Sequence, residues 1–322
     1  MKPTIRDVAK KANVSVSTVS RVINQKGYVH ESTQKLVNDI IEELGFVPNQ
    51  LARNLTSRSS KIVGVIVPHL GHTFYGELLE GIEAQASTYG YKVMFCYTND
   101  DPKRELEYLS FFEQYNVEGL IVASNFSSTP KLLELNIPII TVDHILDETI
   151  PSITSNNIKG GELAAKKLID RGCKHILVFR GPSFLLTTQE RTLGFLNVMN
   201  DQGLHANIYD MDLINPDIFM IKEIIASNPN VDGIFCFSDT LAFIVVNSLI
   251  QEGIKVPDDI AVIGYDNTPH SKWMNPGIST IHQSVNFMGK QSFNLLNKLI
   301  RGVELDTLHD IIDVYLVERE TA

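Results

Sequence analysis

Two groups of residues in this 322-residue chain have types and spacing suited to recognition chemistry. The first is Val16, Ser17, Thr18 and Arg21, which fall on one side of a short helical stretch. A methyl surface, two hydroxyls and a guanidinium fork match the donors, acceptors and thymine methyls along the edges of bases in a major groove. The second group is scattered, with its members following apolar strand-like runs and Arg191 entering the helix after one of them. It comprises His72, Phe74 and Tyr75, then Asp143, Arg191, Ser238, Asp266 and Gln283. Aromatic rings stack on the C–H face of a sugar while carboxylates, amide and guanidinium bond its hydroxyls. Taken singly, each of these is more often a capping or paired structural group. Their recurrence at six successive strand ends points to a binding pocket.

Covalent chemistry has less support. Pro68-His69-Leu70-Gly71 stands where a dinucleotide fold would need its G-x-G-x-x-G, and no P-loop pattern occurs. The nine histidines show neither H-x-x-x-H nor H-E-x-x-H spacing, which argues against a metal site. Asp143-His144 could serve as acid and base, but no nucleophile elbow accompanies the pair. The expectation is a protein that is not an enzyme and has no cofactor or metal. The three cysteines, Cys96, Cys173 and Cys236, are odd in number and widely spaced, and are expected to be reduced core residues.

The elements that must hold these groups can be read from periodicity. Ile5, Val8, Ala9 and Ala12 have helical spacing, Asn13-Val14-Ser15 interrupts it, and a second short helix follows with Val19, Val22 and Ile23 inward. This is a helix-turn-helix, although two short helices alone could equally be a plain hairpin. A third amphipathic helix spans Glu31 to Leu44, with Leu36, Val37, Ile40, Ile41 and Leu44 facing inward and Gly45 ending it. Asn49 can cap a short helix from Gln50 to Thr56, and 57–61 reads as a linker. Seven residues do not hold a helix in water by themselves. From Lys61 onward strands alternate with helices in two rounds, which predicts a doubly wound α/β body of two lobes. A last strand, Ile311 to Glu318, is expected to return across the pair.

Charge divides the same way. The net charge of −10 splits into +5 for residues 1–61 and −15 for the remainder. A basic head and an acidic body suit a protein whose head meets phosphates while its body stays off the duplex. The 43% hydrophobic content allows sizeable cores, and no apolar run is long enough for a membrane span. The charged N-terminus does not read as a signal peptide, so a soluble cytoplasmic protein is expected. That weighs against a secreted sugar-binding protein, which would have no use for a basic head.

The segment Thr4 to Asn24, followed by Pro48-Asn49-Gln50-Leu51-Ala52-Arg53-Asn54-Leu55, resembles the head of the lactose-repressor and galactose-repressor family of bacterial transcription regulators. The resemblance runs through the rest of the chain. It implies a helix-turn-helix DNA-binding domain with hinge helix over 1–60 and a two-lobed, periplasmic-binding-protein-like sensing and dimerisation domain over 61–322. Thr4, Ser15, Asn24, Tyr28 and Asn49 then join Val16, Ser17, Thr18 and Arg21 as DNA-facing residues. Ala52 lies against the minor-groove floor and Leu55 wedges between base pairs. The partners implied are operator DNA, a second copy of the chain, since two heads read two half-sites, and a small sugar inducer. No heptad tail suggests a tetramer, and whether a phosphocarrier protein assists is left open.

Asp143, Arg191, Ser238, Asp266 and Gln283 match the family's hydroxyl-binding positions, and Phe74 and Tyr75 its ring positions. His144 stands where many relatives carry arginine, and Leu213 near an often aromatic position. Leu185 replaces the arginine of the purine-responsive relative, which argues against a purine corepressor. Asn24 to Glu31, Glu105 to Leu109, and Arg180-Gly181-Pro182 with Thr187, Gln189 and Arg191 resemble the ribose-operon repressors in particular. Sucrose-operon repressors share part of this pattern. Ribose is therefore the expected inducer, with sucrose or another sugar or sugar phosphate as the alternative.

Overall fold

The structure is a computed structural model, described here for residues 3–24, 27–46, 59–124, 129–212 and 215–322. The chain divides into two compact units, Met1–Ser60 and Lys61–Ala322.

In the first unit, α1 (Ile5–Ala12), α2 (Val16–Asn24) and α3 (Glu31–Leu44) enclose a core of Val8, Val19 and Val37 with smaller apolar neighbours. Thr4 starts α1, its backbone N–H and hydroxyl donating to the Asp7 carboxylate at 2.8 and 2.7 Å. Asn13, at φ 52°, ends it in the left-handed conformation that asparagine tolerates. The Ser15 hydroxyl accepts from the Thr18 N–H at 3.1 Å and so caps α2. Val37 and Ile40 are buried and Ile41 and Leu44 half-buried, but Leu36 is 46% exposed and does not face inward. It lies one position before Val37, about 100° off the buried stripe.

The second unit contains two parallel-rich sheets. In the first lobe, β1 (Ile62–Val67), α4 (Thr73–Thr88), β2 (Lys92–Tyr97), α5 (Pro102–Gln114), β3 (Leu120–Val122), α6 (Thr129–Glu134), β4 (Ile139–Val142) and β5 (Ser152–Ser155) follow in turn. The chain then crosses to the second lobe through α7 (Asn157–Asp170), β6 (Ile176–Arg180), α8 (Leu186–Asp201), β7 (Ala206–Asp210), α9 (Ile218–Ala226), β8 (Gly233–Cys236), α10 (Asp239–Gln251), β9 (Ala261–Asp266), α11 (Pro269–Trp273) and β10 (Ser279–His282). Then α12 (Val285–Ile300) returns to the first lobe, where Met288, Phe293 and Leu296 pack with Val63, Leu78 and Ile140.

The final segment corrects the sequence reading. One strand over 311–318 was expected, and the chain instead forms β11 (His309–Ile312) and β12 (Tyr315–Val317), one in each sheet. The break falls where Asp313 turns out to pair with Lys159 at 2.6 Å and Val314 turns in to the second-lobe core. Sheet orders are β11-β5-β4-β3-β1-β2 and β12-β10-β9-β8-β6-β7, with only β12 antiparallel to its neighbour among the described strands. Both orders reverse beside the first strand of their lobe, at β1 and β6. In doubly wound sheets such reversals open a crevice at the carboxyl ends of the strands. Of the cysteines, Cys173 and Cys236 are buried and free, whereas Cys96 on β2 is only half-buried.

Close helix packing sets the site. A Cβ on Gly194 would stand 1.9 Å from the Ile158 carbonyl oxygen, and one on Gly161 2.1 Å from that of Arg191. Glycine at both positions lets α7 and α8 touch backbone to backbone, which fixes where α8 carries Arg191.

Candidate functional site

A cleft of about 180 Å³ opens at the carboxyl ends of the strands of both lobes. Seven of the eight ligand residues expected from sequence line it: His72, Phe74, Tyr75, Asp143, Arg191, Asp266 and Gln283. Ser238 does not. Its hydroxyl accepts from the Leu241 N–H at 3.2 Å, so it is consumed in capping α10. His144 is also outside the lining, buried with its Nδ1 3.0 Å from the Val142 carbonyl. Arg180 is held by Asp210 at 2.6 Å.

His72 caps α4, its Nδ1 accepting from the Phe74 N–H at 3.3 Å. Burial, followed by the Arg191 and His69 charges, lowers its pKa to about 4, so it is a neutral imidazole at neutral pH. Phe74 and Tyr75 stand edge to face, 5.2 Å between centroids, and Phe74 also belongs to the first-lobe core. Burial raises the Tyr75 phenol well above its ordinary value. These rings make one apolar wall.

Arg191 supplies the cationic wall. Its Nε donates to Asn157 Oδ1 and one terminal nitrogen to the Phe237 carbonyl oxygen, both at 2.9 Å. The guanidinium lies 3.7 Å from the Tyr265 ring centroid. Stacking and two hydrogen bonds orient the plane while leaving further N–H donors for a ligand.

Facing it are acids and an amide. Asp143 follows β4 at φ 65°, and its Oδ1 is buried with no hydrogen-bond partner among the described residues. Burial raises its pKa to about 7, with Arg191 opposing and Asp266 adding. Asp266 ends β9 at φ 105° and accepts from Gln283 Nε2 at 2.7 Å. Burial likewise raises the Asp266 carboxyl, with Arg191 opposing. Gln283 Oε1 is left buried and unpartnered among the described residues. Two buried, unpartnered acceptor atoms thus belong to residues lining a cleft that also holds spare guanidinium donors, and hydroxyl groups satisfy both kinds of demand.

Sequence reasoning missed other lining residues. Phe184 and Asp212 come from loops of the second lobe, Thr187 from the first turn of α8, and Asp100 pairs with His69 at the first-lobe edge. None of the four stands in the first positions after an obvious apolar run. Leu185, noted only as the replacement for a purine-binding arginine, is also in the wall. Leu213 lies outside the described residues.

In the head, Val16, Ser17, Arg21 and Asn24 are exposed on α2, and Tyr28 beyond it is 86% exposed. Thr18 is half-buried, and both its hydroxyl and that of Ser17 lie within 2.8 Å of Ser15 Oγ. Thr4 and Ser15 are engaged in helix caps, though still exposed. Asn49, Ala52 and Leu55 lie outside the described residues.

A helix-turn-helix unit attached to a two-lobed α/β body with a polyol-suited cleft defines a ligand-sensing regulator class. Comparison with known proteins makes this specific. Residues 4–49 match the family of bacterial regulatory proteins, lacI family, and residues 60–319 match the periplasmic binding proteins and sugar binding domain of LacI family. The chain belongs to the LacI family. It is 36% identical to the ribose operon repressor of Bacillus subtilis, over 99% of this chain and 98% of that protein. It is 35% identical to the sucrose operon repressor of Streptococcus mutans, over 92% of each. A crystal structure of the lac repressor dimer bound to operator and an anti-inducer shares the fold at a TM-score of 0.88 and 23% identity, covering 100% of this chain and 99% of that one.

Proposed function

We propose that this protein is a dimeric transcriptional repressor that binds a near-palindromic operator and is released by a small, uncharged sugar, with ribose the first candidate. The observation that carries the sugar reading is the pair of buried acceptors, Asp143 Oδ1 and Gln283 Oε1, in a cleft shared with the oriented Arg191 guanidinium. Hydroxyl groups both donate and accept, so a polyol satisfies all three.

Size and charge narrow the class. The 180 Å³ cleft is below the roughly 300–1,000 Å³ typical of sites for drug-sized ligands, which favours one sugar ring over two. That weighs against sucrose, the reading that the Streptococcus mutans relative supports. The described lining contains four aspartates, at 100, 143, 212 and 266, against one arginine, and this balance disfavours a sugar phosphate.

The dimer reading draws on exposed apolar side chains across neighbouring second-lobe helices: Phe219 and Met220 on α9, Phe243 on α10 and Trp273 on α11. Large apolar side chains left exposed on neighbouring helices suit a partner surface. Among the described residues no helix is long and apolar enough to cross a membrane. A repressor of this class works in the cytoplasm, beside the DNA.

Asp143 belongs to the first lobe and Arg191 and Asp266 to the second, so a sugar bonded to all three favours one closure of the cleft over another. A ligand shifts an equilibrium only by its differential affinity for the two states. In the proposed mechanism the sugar prefers the closure that binds operator more weakly; the hinge segment expected over 50–56 lies outside the described residues. Calorimetric titration with D-ribose, D-xylose, D-fructose, sucrose and ribose 5-phosphate tests the ligand class. Binding of ribose without its phosphate is expected. Binding of ribose 5-phosphate alone would overturn the neutral-sugar reading.

A further inference from the structure

The Asp266 carboxylate sits on an unusual piece of backbone. Asp266 and Asn267 are successive non-glycine residues with positive φ, 105° and 58°. Conformations of this kind are costly for L side chains and persist only where the surroundings hold them. What holds this turn is a set of hydrogen bonds whose hub is Asp239, the residue after Ser238.

Asp239 is the first residue of α10 and is 2% exposed. Its Oδ2 accepts from the Thr268 N–H and its Oδ1 from the Thr280 hydroxyl, both at 2.6 Å. Thr280 Oγ1 in turn accepts from the Asn267 N–H at 3.3 Å. One carboxylate therefore ties down the two residues that follow Asp266, one directly and one through Thr280. A Cβ on Gly264 would lie 2.5 Å from Asp239 Oδ1, so the glycine two residues before Asp266 makes the room this carboxylate occupies. Arg319 grips the same turn from the other side, donating to Asn267 Oδ1 at 2.5 Å and the Ile278 carbonyl oxygen at 2.7 Å.

Asp239 is outside the cleft lining, yet it is buried in the acidic neighbourhood of Asp266, which makes it expensive as mere filler. We propose that Asp239 is a positioning residue for ligand binding: with Thr280 it clamps the strained 266–268 turn so that Asp266 meets the sugar in one fixed orientation. The proposal rests on the reading that Asp266 bonds the sugar. It extends that reading to a residue with no ligand contact.

The clamp needs a hydrogen-bonding atom at each of the two positions, which separates it from a role for charge. Asparagine at 239 can accept from Thr268 N–H while its amide donates to a Thr280 hydroxyl turned to accept. Asp239→Asn is therefore expected to keep D-ribose binding within about threefold of wild type. Asp239→Ala is expected to weaken it about tenfold to a hundredfold, the loss of hydrogen bonds to a charged group. Thr280→Val, which keeps the β-branched shape in β10, is expected to fall between them. The experiment is calorimetric titration of full-length wild type, Asp239→Asn, Asp239→Ala, Thr280→Val and Asp266→Ala with D-ribose, beside operator binding and thermal unfolding of each. Retained operator affinity with the graded ribose loss supports the clamp. Wild-type ribose affinity in folded Asp239→Ala or in Thr280→Val overturns it while leaving Asp266 as a ligand residue. Equal losses in the Asn and Ala variants overturn it in favour of a charge effect. Ribose binding that survives Asp266→Ala, or that is absent in the wild type, overturns the ligand reading and the clamp together.

Discussion

Replacing Asp143 with asparagine is expected to stabilise the ligand-free body at alkaline pH while impairing its sugar binding. Burial lifts the Asp143 carboxyl from 3.8 to about 7 in the folded chain. At about 1.36 kcal/mol per pKa unit this corresponds to roughly 4 kcal/mol as an upper bound. The residue is partly open to the cleft, so solvent screening brings the expected effect nearer 1–3 kcal/mol. The sign follows from the raised value. The folded state holds its proton to higher pH than the unfolded state, so the contribution is fully present below about pH 4 and is lost as pH rises through about 7. Asp239 and Asp266 are shifted in the same direction, so the wild-type slope alone does not isolate Asp143. The difference between wild type and Asp143→Asn does. Calorimetric melting of the body at pH 5 and pH 8 should show a variant advantage that is small at the lower pH and largest at the higher, at roughly 2–4 °C per kcal/mol. The same variant should bind ribose at least about tenfold more weakly, because a charged acceptor has been lost. Parallel pH profiles for the two proteins would refute the burial argument. A gain in stability with full ribose affinity would remove Asp143 from the ligand set.

Three further substitutions probe other parts of the chain. Arg21→Ala should cost about 1–3 kcal/mol against operator and little against random DNA, since a guanidinium on a base edge discriminates and a phosphate contact does not; equal losses in a filter-binding comparison would reassign Arg21 to the backbone. Leu55→Ala should weaken operator binding and reduce the bend seen in circular-permutation gels, with ribose affinity unchanged; an unaltered bend at full affinity would make Leu55 a packing residue. Gly194→Ala should destabilise the body by about 1–3 kcal/mol in denaturant unfolding, because the methyl would meet the Ile158 carbonyl oxygen at 1.9 Å; a neutral result would show that α7 and α8 can separate at no cost.

Periodicity made much of this fold legible. The α1–turn–α2 pattern and the alternating strands and helices of both lobes stand in the sequence because each element buries one face. Legibility failed where tertiary context decides. The run Ile311-Ile312-Asp313-Val314-Tyr315-Leu316-Val317 has uniform strand character, and nothing local shows that the chain changes sheets at Asp313. Ser152–Ser155 is too short and polar to stand out by periodicity, yet it is a buried strand between β4 and β11. In the site, side chains directly after apolar runs were easy to find, as with Asp143 and Asp266. Ser238 met the same criterion, but a serine at a strand-to-helix junction competes for the helix cap, and here the cap takes it. Phe184 and Asp212 reach the cleft only through the folding of their loops, and Thr187 through the placement of the first turn of α8, which no spacing encodes.

The central claim is that sugar in the cleft and operator at the head are coupled, and the most direct test is operator affinity at fixed salt with and without saturating D-ribose. Ribose should weaken operator binding by a factor within the usual range of about 5 to 150. Linkage then requires that operator DNA weaken ribose binding by that same factor, measured by titrating the preformed complex. Unchanged operator affinity at ribose saturation would break the proposed coupling. Tightened affinity would reverse it and make the sugar a corepressor.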